Sequence, residues 1–135
     1  MKMPEKIKEE YLAYCGVNCL LCTAYHHKKN PCPGCRTEES SITGKSCRNC
    51  SKKKCTRAKG VYWCFECEEF PCRRIKDLSR SYSKNYSIEL VKEGREAEKD
   101  RTSFLEKQRQ HFRCGKCGGI IDMHNEICTD CGEKK

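Results

Sequence analysis

Apolar residues are spread thinly along this chain, and their spacing changes from one stretch to the next. In 4–14, PEKIKEEYLAY, Ile7, Tyr11 and Tyr14 recur at helical intervals and Pro4 is tolerated in a first turn, which predicts a short helix. The run 61–65, VYWCF, is rich in β-branched and aromatic residues and predicts a strand. Pro71 then suits the first turn of a helix through Arg73, Ile75 and Leu78, and 79–86, SRSYSKNY, reads as a polar linker. A short helix over 87–93, stopped by Gly94 at its C-terminal end, precedes a longer one over 95–112 with Ala97, Phe104, Leu105 and Phe112 in a narrow stripe. Ile120, Ile121 and Ile127 predict short strands of a terminal hairpin.

Composition changes this picture. Hydrophobic residues make up 36% of the chain, but 15 of them are Cys, so the stock that could fill a core is small. Chains this poor in core material are held together by disulfides or structural metals. The first residues, MKMPEKIKEEYLAYCG, spread their charges and hold no apolar signal region, and no apolar run approaches a membrane span. The expected location is cytoplasmic, where cysteines act as thiolates on metal rather than as disulfides. The odd cysteine count and the repeated C-x2-C spacing point the same way.

The cysteines fall into recognisable sets. Cys15, Cys19 and Cys22 form C-x3-C-x2-C, and Cys32 and Cys35 form a C-x2-C. Cys19/Cys22 with Cys32/Cys35 suit two knuckles closing on one tetrahedral ion, although Cys15 could replace any of the four. Cys47 and Cys50 give another C-x2-C, followed by Cys55; Cys64 and Cys67 give a further one, followed by Cys72 near a helix N-terminus. At the C-terminus Cys114, Cys117, Cys128 and Cys131 give C-x2-C-x10-C-x2-C with glycines beside the cysteines, the pattern of a zinc ribbon. His26 or His27 could complete a Cys3His site, with solvated loop histidines as the plainer reading, and His124 reads as a turn residue. Glu38 to Lys45 reads as a loop.

The expected architecture is a small metal-stapled α+β protein: an irregular cysteine-rich zinc-binding domain over 1–78, a helical segment over 79–113, and a zinc ribbon over 114–135. All fifteen cysteines are candidate ligands for three or four zinc ions: two ions in the N-terminal half would leave three cysteines spare and three would leave none, with an iron–sulfur cluster in the N-terminal half as the alternative. Residues 1–76 carry 16 Lys/Arg against 8 Asp/Glu. Fifteen thiolates on four zinc ions would bring the formal +9 down to about +2, so the run Lys52, Lys53, Lys54, Arg57 and Lys59 reads first as charge offsetting sulfur and second as a phosphate contact.

No catalytic constellation stands out, and closed four-thiolate sites leave no open position for hydrolytic chemistry. Radical chemistry on C-x3-C-x2-C would need a long (β/α) repeat for which the chain has no room. A redox dithiol at Cys64 and Cys67 lacks its frame and faces Glu68 and Glu69. The expected role is therefore a zinc-binding interaction module whose partner is protein or nucleic acid, with no membrane and no small-molecule substrate; an iron–sulfur redox or accessory protein is the alternative.

These residues also resemble the bacterial and archaeal family called domain of unknown function 3795. The resemblance is carried by Tyr14-Cys15-Gly16, Cys19 and Cys22 followed by Ala24-Tyr25, Gly34-Cys35, Cys50, Cys55, Lys59-Gly60-Val61, and Cys64, Cys67 and Cys72 within WCFECEEFPC (63–72). Gly94 and the helix after it extend it to about 14–112. Thr23 stands where the family usually has Pro, Cys47 is additional to the common pattern, and the ribbon resembles an extension found in some members. The resemblance implies metal binding without an assigned activity.

Overall fold

The computed structural model describes residues 1–36 and 50–135. Among the described residues there are four α-helices: α1 (Ser51–Lys59), α2 (Arg73–Tyr86), α3 (Leu90–Lys99) and α4 (Arg101–His111). Short 3-10 turns stand at Glu9–Tyr11, Cys19–Leu21, Thr23–His26 and Cys64–Glu66. Among the described residues, β pairing is confined to isolated bridges, including Leu12 with Asn18, Arg113 with Ile120 and Ile121 with Cys128. The protein is thus small, cysteine-rich and mostly helical, with less strand than expected.

Four elements differ from the sequence reading, each for a local reason. The helix expected over 4–14 is only the turn Glu9–Tyr11, because Leu12 turns away to bridge Asn18 and the chain reverses at Gly16, whose φ of 93° suits glycine. The strand expected over 61–65 is a bend. Trp63 is extended, and Cys64–Glu66 forms a 3-10 turn held by Glu66, whose Oε1 accepts from the N–H groups of Tyr62 (3.0 Å) and Trp63 (3.1 Å). The linker expected over 79–86 is the second half of α2. Ile75, Leu78, Tyr82 and Tyr86 fall at helical intervals, and Leu78 and Tyr82 pack on the core, so the serines and lysine between them are a solvated face. Gly94 does not end a helix. It lies inside α3, and the break comes at Asp100, whose side chain caps α4 by accepting from Ser103 N–H at 3.0 Å.

One apolar cluster joins distant parts of the chain, combining Leu12, Leu20 and Leu21 with Trp63 and Phe65, with Leu90, Phe104 and Leu105, and with Ile120 and Met123. Trp63 is its pivot. Its ring stacks on Phe65 at 5.3 Å, its indole N–H donates to Leu12 O at 3.2 Å, and the Arg101 guanidinium lies 4.4 Å over it. Arg36 covers the neighbouring aromatic face, 3.7 Å over Tyr62 and 4.3 Å over Tyr14, while its Nε donates to Leu12 O at 2.8 Å.

Polar ties join the parts as well. Buried Asn18 donates from Nδ2 to Gln108 Oε1 of α4 at 2.9 Å. Thr23 donates its backbone N–H to His124 Nδ1 (3.2 Å) and its hydroxyl to Asp122 Oδ1 (2.7 Å), and Met123 N–H donates to Leu21 O (2.8 Å). These contacts seat the C-terminal cysteine segment on the turns that carry Cys19 and Cys22.

Candidate metal centres

The C-terminal site is built by two tight turns. Gly118 N–H donates to Cys114 O at 2.9 Å, and Cys114 N–H to Gly119 O at 2.8 Å, so the chain folds back between Cys114 and Cys117. Gly132 N–H donates to Cys128 O at 3.0 Å, and Cys128 N–H to Glu133 O at 2.9 Å, repeating the arrangement. Gly118 and Gly132 take φ of 77° and 75°, a conformation that side chains disfavour. Between the turns, Asp122 Oδ1 accepts from the N–H groups of His124 (3.0 Å) and Asn125 (2.6 Å), closing the connecting loop.

The result is a set of four thiols, Cys114, Cys117, Cys128 and Cys131, whose sulfurs all lie within 4.8 Å of one another. Cys114 and Cys131 sulfurs are 3.7 Å apart, and those of Cys117 and Cys128 are 3.5 Å apart. The four sulfurs form a cradle that fits one tetrahedral ion in donor type, number and mutual distance. Gly119 makes the cradle possible: its N–H donates to Cys117 Sγ at 3.3 Å, and a Cβ there would stand 2.8 Å from Cys128 Sγ. That donated N–H, with further bonds from the neighbouring thiols, lowers Cys117 to about 6 against the opposing effect of burial. At Cys131 a backbone N–H from Glu133 lowers the pKa, but burial and the three adjacent thiols prevail and push it up to about 11. One thiolate beside a reluctant thiol is a set that a divalent cation completes.

Among the described residues this is the only set of three or more Cys, His, Asp or Glu whose ligand atoms meet that distance. The N-terminal cysteines are placed as follows. Cys35 N–H donates to Cys19 Sγ at 3.4 Å across the Gly34 turn, so the 32–35 knuckle faces Cys19, with Cys22 half-buried at the end of the same 3-10 turn. Cys55 of α1, Cys64 and Cys67 of the Cys64–Glu66 turn, and Cys72 at the start of α2 line one small cavity. Cys15 and Cys50 stand close to Cys64. Burial pushes Cys64 up to about 12, with the charges of Cys15, Cys72, Cys55 and Cys50 adding to it. Burial raises Cys15 to about 11, opposed in part by Lys52. Cys47 and the loop at 38–45 lie outside the described residues.

His26, His111 and His124 face protein partners. His26 Nε2 faces Leu20 O, and burial lowers its pKa; His27 is exposed. His124 bridges Thr23 and the Tyr82 hydroxyl, at 3.2 and 3.1 Å. The sequence reading left this bridge unseen, as it did Asn18 with Gln108, because the partners are separated by 101, 42 and 90 positions. Of the basic run, Lys53 is buried, Lys59 pairs with Glu69, and Lys54 and Arg57 are exposed.

Fold and site together define a small, cysteine-rich helical protein carrying a four-cysteine candidate metal site. Residues 11–77 match the family described as "Protein of unknown function (DUF3795)", and the matched stretch contains the whole of WCFECEEFPC. The match stops before Gly94, α4 and the C-terminal cysteines. No curated protein and no solved structure matches the chain significantly. Among the described residues, no helix is long and apolar enough to cross a membrane.

Proposed function

We propose that this is a zinc-binding protein of the cytoplasm whose C-terminal cysteines form a zinc ribbon, and that it works as an interaction module for protein or nucleic acid. The observation that carries the metal assignment is the C-terminal cradle: four sulfurs within 4.8 Å, with Gly119 clearing the space between them. Four thiolates and no open position favour a structural ion over a catalytic one, and tetrahedral sulfur sets select zinc or iron–sulfur chemistry. An ion there would fix two glycine turns as rigid loops beside exposed Ile127 and Lys116 without calling on a large core.

Three or four ions in total follow if the N-terminal cysteines are also ligands. Lys52 near Cys15 and the burial of Lys53 support the reading of the basic run as charge that offsets sulfur rather than as a phosphate stripe. The test is anaerobic purification with metal analysis, then titration of the holoprotein against nucleic acid at low salt and affinity capture of protein partners. Zinc bound at the C-terminal four, together with one class of partner, supports the reading. A brown protein containing iron and sulfide would replace it with the iron–sulfur alternative, and zinc with neither partner class would remove the interaction role.

A further inference from the structure

We propose that the outer face of α2 is a docking surface for the phosphate backbone of double-stranded nucleic acid, with Lys76, Arg80 and Lys84 as its contacts. This rests on the interaction reading above and gives it a partner class and a surface, on residues other than the C-terminal cysteines. α2 carries five cations, Arg73, Arg74, Lys76, Arg80 and Lys84, against the single acid Asp77, and all six side chains are exposed. The core fixes its rotation: Ile75 is buried, and Leu78 and Tyr82 pack against the apolar cluster. The cations are thereby turned outward. Lys76, Arg80 and Lys84 lie four residues apart, which puts them on one ridge, with one head group per roughly 6 Å of helix axis.

The same three side chains line a groove of about 420 Å³ between α2 and the start of α3, together with Ser79, Glu89 and Val91. Among the described residues no cysteine lines it, so these charges are not the counter-charge of sulfur, the reading given above for the run on α1. Nor are they neutralised within the protein. Among the described residues the ion pair of α2 is Arg80 with Asp77 at 3.4 Å, and Lys76 and Lys84 have none. Glu89, the carboxylate of the groove, accepts from the Ser83 hydroxyl at 2.9 Å. The lining selects the partner. Cations repeated at one-turn intervals match an anion that repeats along a line, and a duplex offers one phosphate per about 3.4 Å of each strand, so about 12 Å of helix axis spans about three to four of them. Among the described residues the groove presents no aromatic ring on which unpaired bases could stack, so it reads backbone rather than sequence. It also lacks an apolar edge for insertion into a bilayer, since Val91 is half-buried and the apolar side of α2 is in the core.

Anisotropy titration of a labelled random-sequence duplex with the metal-loaded full chain, at a series of salt concentrations, tests the assignment. Three phosphate contacts make log K fall with log salt at a slope of about −2.7, and Lys76→Gln and Lys84→Gln each weaken binding and flatten that slope by about 0.9. The Lys76→Gln/Arg80→Gln/Lys84→Gln variant loses the salt-dependent binding. Lys28→Gln/Lys29→Gln takes two exposed charges from outside the groove and leaves the slope unchanged. Every replaced side chain is exposed, so the melting temperature and metal content of these variants match those of the parent. Equal loss from the Lys28→Gln/Lys29→Gln variant, or tighter binding of a single strand than of the duplex, overturns the surface. So does capture of anionic lipid vesicles or of an acidic polypeptide through α2 without duplex binding. Duplex binding that survives the triple variant defeats the α2 surface and leaves the nucleic-acid arm of the interaction reading standing. A captured protein partner with no duplex binding at low salt defeats the surface and leaves the protein arm.

Discussion

The Phe70 ring occupies the space that a side chain on Gly94 would need: a Cβ built on Gly94 would stand 2.7 Å from Phe70 Cζ and 3.4 Å from Phe65 Cβ. The cysteine-rich turn and α3 are therefore fitted to each other through a glycine in mid-helix, where glycine is otherwise unfavourable by about 1 kcal/mol relative to alanine. Phe70 is also a wall of the cavity lined by Cys55, Cys64, Cys67 and Cys72.

Gly94→Ala tests that fit. Overpacking costs about 1–3 kcal/mol, and the gain in helix propensity returns about 1, so the net expected change is a loss of up to about 2 kcal/mol. Thermal unfolding should show a lowered midpoint. A raised midpoint would mean that Phe70 is free to move away.

Gln108→Ala should destabilise through Asn18. Asn18 is fully buried and its Nδ2 donates to Gln108 Oε1, so truncation leaves a buried donor without an acceptor, at about 1–3 kcal/mol. Replacing both residues by apolar ones of similar shape should recover part of the loss. Denaturant titration of the two variants measures the difference.

His124 should make the fold acid-sensitive. Thr23 N–H donates to Nδ1, so the neutral ring carries its proton on Nε2 and donates to the Tyr82 oxygen. Burial holds His124, His26 and His111 below their ordinary value of 6.5, with the Lys135 charge adding to the effect at His111. A lowered folded-state pKa means that the unfolded chain takes the proton first. This contribution is complete above pH 6.5 and is lost as pH falls through and below that value. Melting temperature should drop over that interval, and His124→Gln should start lower with a shallower dependence.

Glycines beside the C-terminal sulfurs should differ sharply in tolerance. Gly119→Ala places a Cβ 2.8 Å from Cys128 Sγ and 3.2 Å from Cys117 Sγ, whereas Gly115→Ala meets nothing within 4 Å. Metal affinity, read by chelator competition, should fall by on the order of tenfold or more for the first and stay unchanged for the second.

The C-terminal candidate metal site was legible in the sequence, because knuckles are local. C-x2-C with adjacent glycine specifies a turn a few residues long, and the C-terminal four emerge where their spacing placed them. The helical character of 87–112 was visible too, since its apolar residues recur at helical intervals, but the boundary falls at Asp100 and not at Gly94. What escaped was whatever depends on distant partners. The apparent linker became half of α2 because Leu78 and Tyr82 found a core to pack on, and the apparent strand became a turn because Glu66 capped it. Gly94 looked like a stop signal, yet it is a mid-helix residue that makes room for Phe70. Local spacing determines which thiols can share a turn, since backbone geometry over four residues has few solutions. Which turns face one another, and so which of the N-terminal cysteines line a common cavity, was decided only by the packing of Trp63, Phe65 and Phe70 against helices up to about forty positions further along the chain.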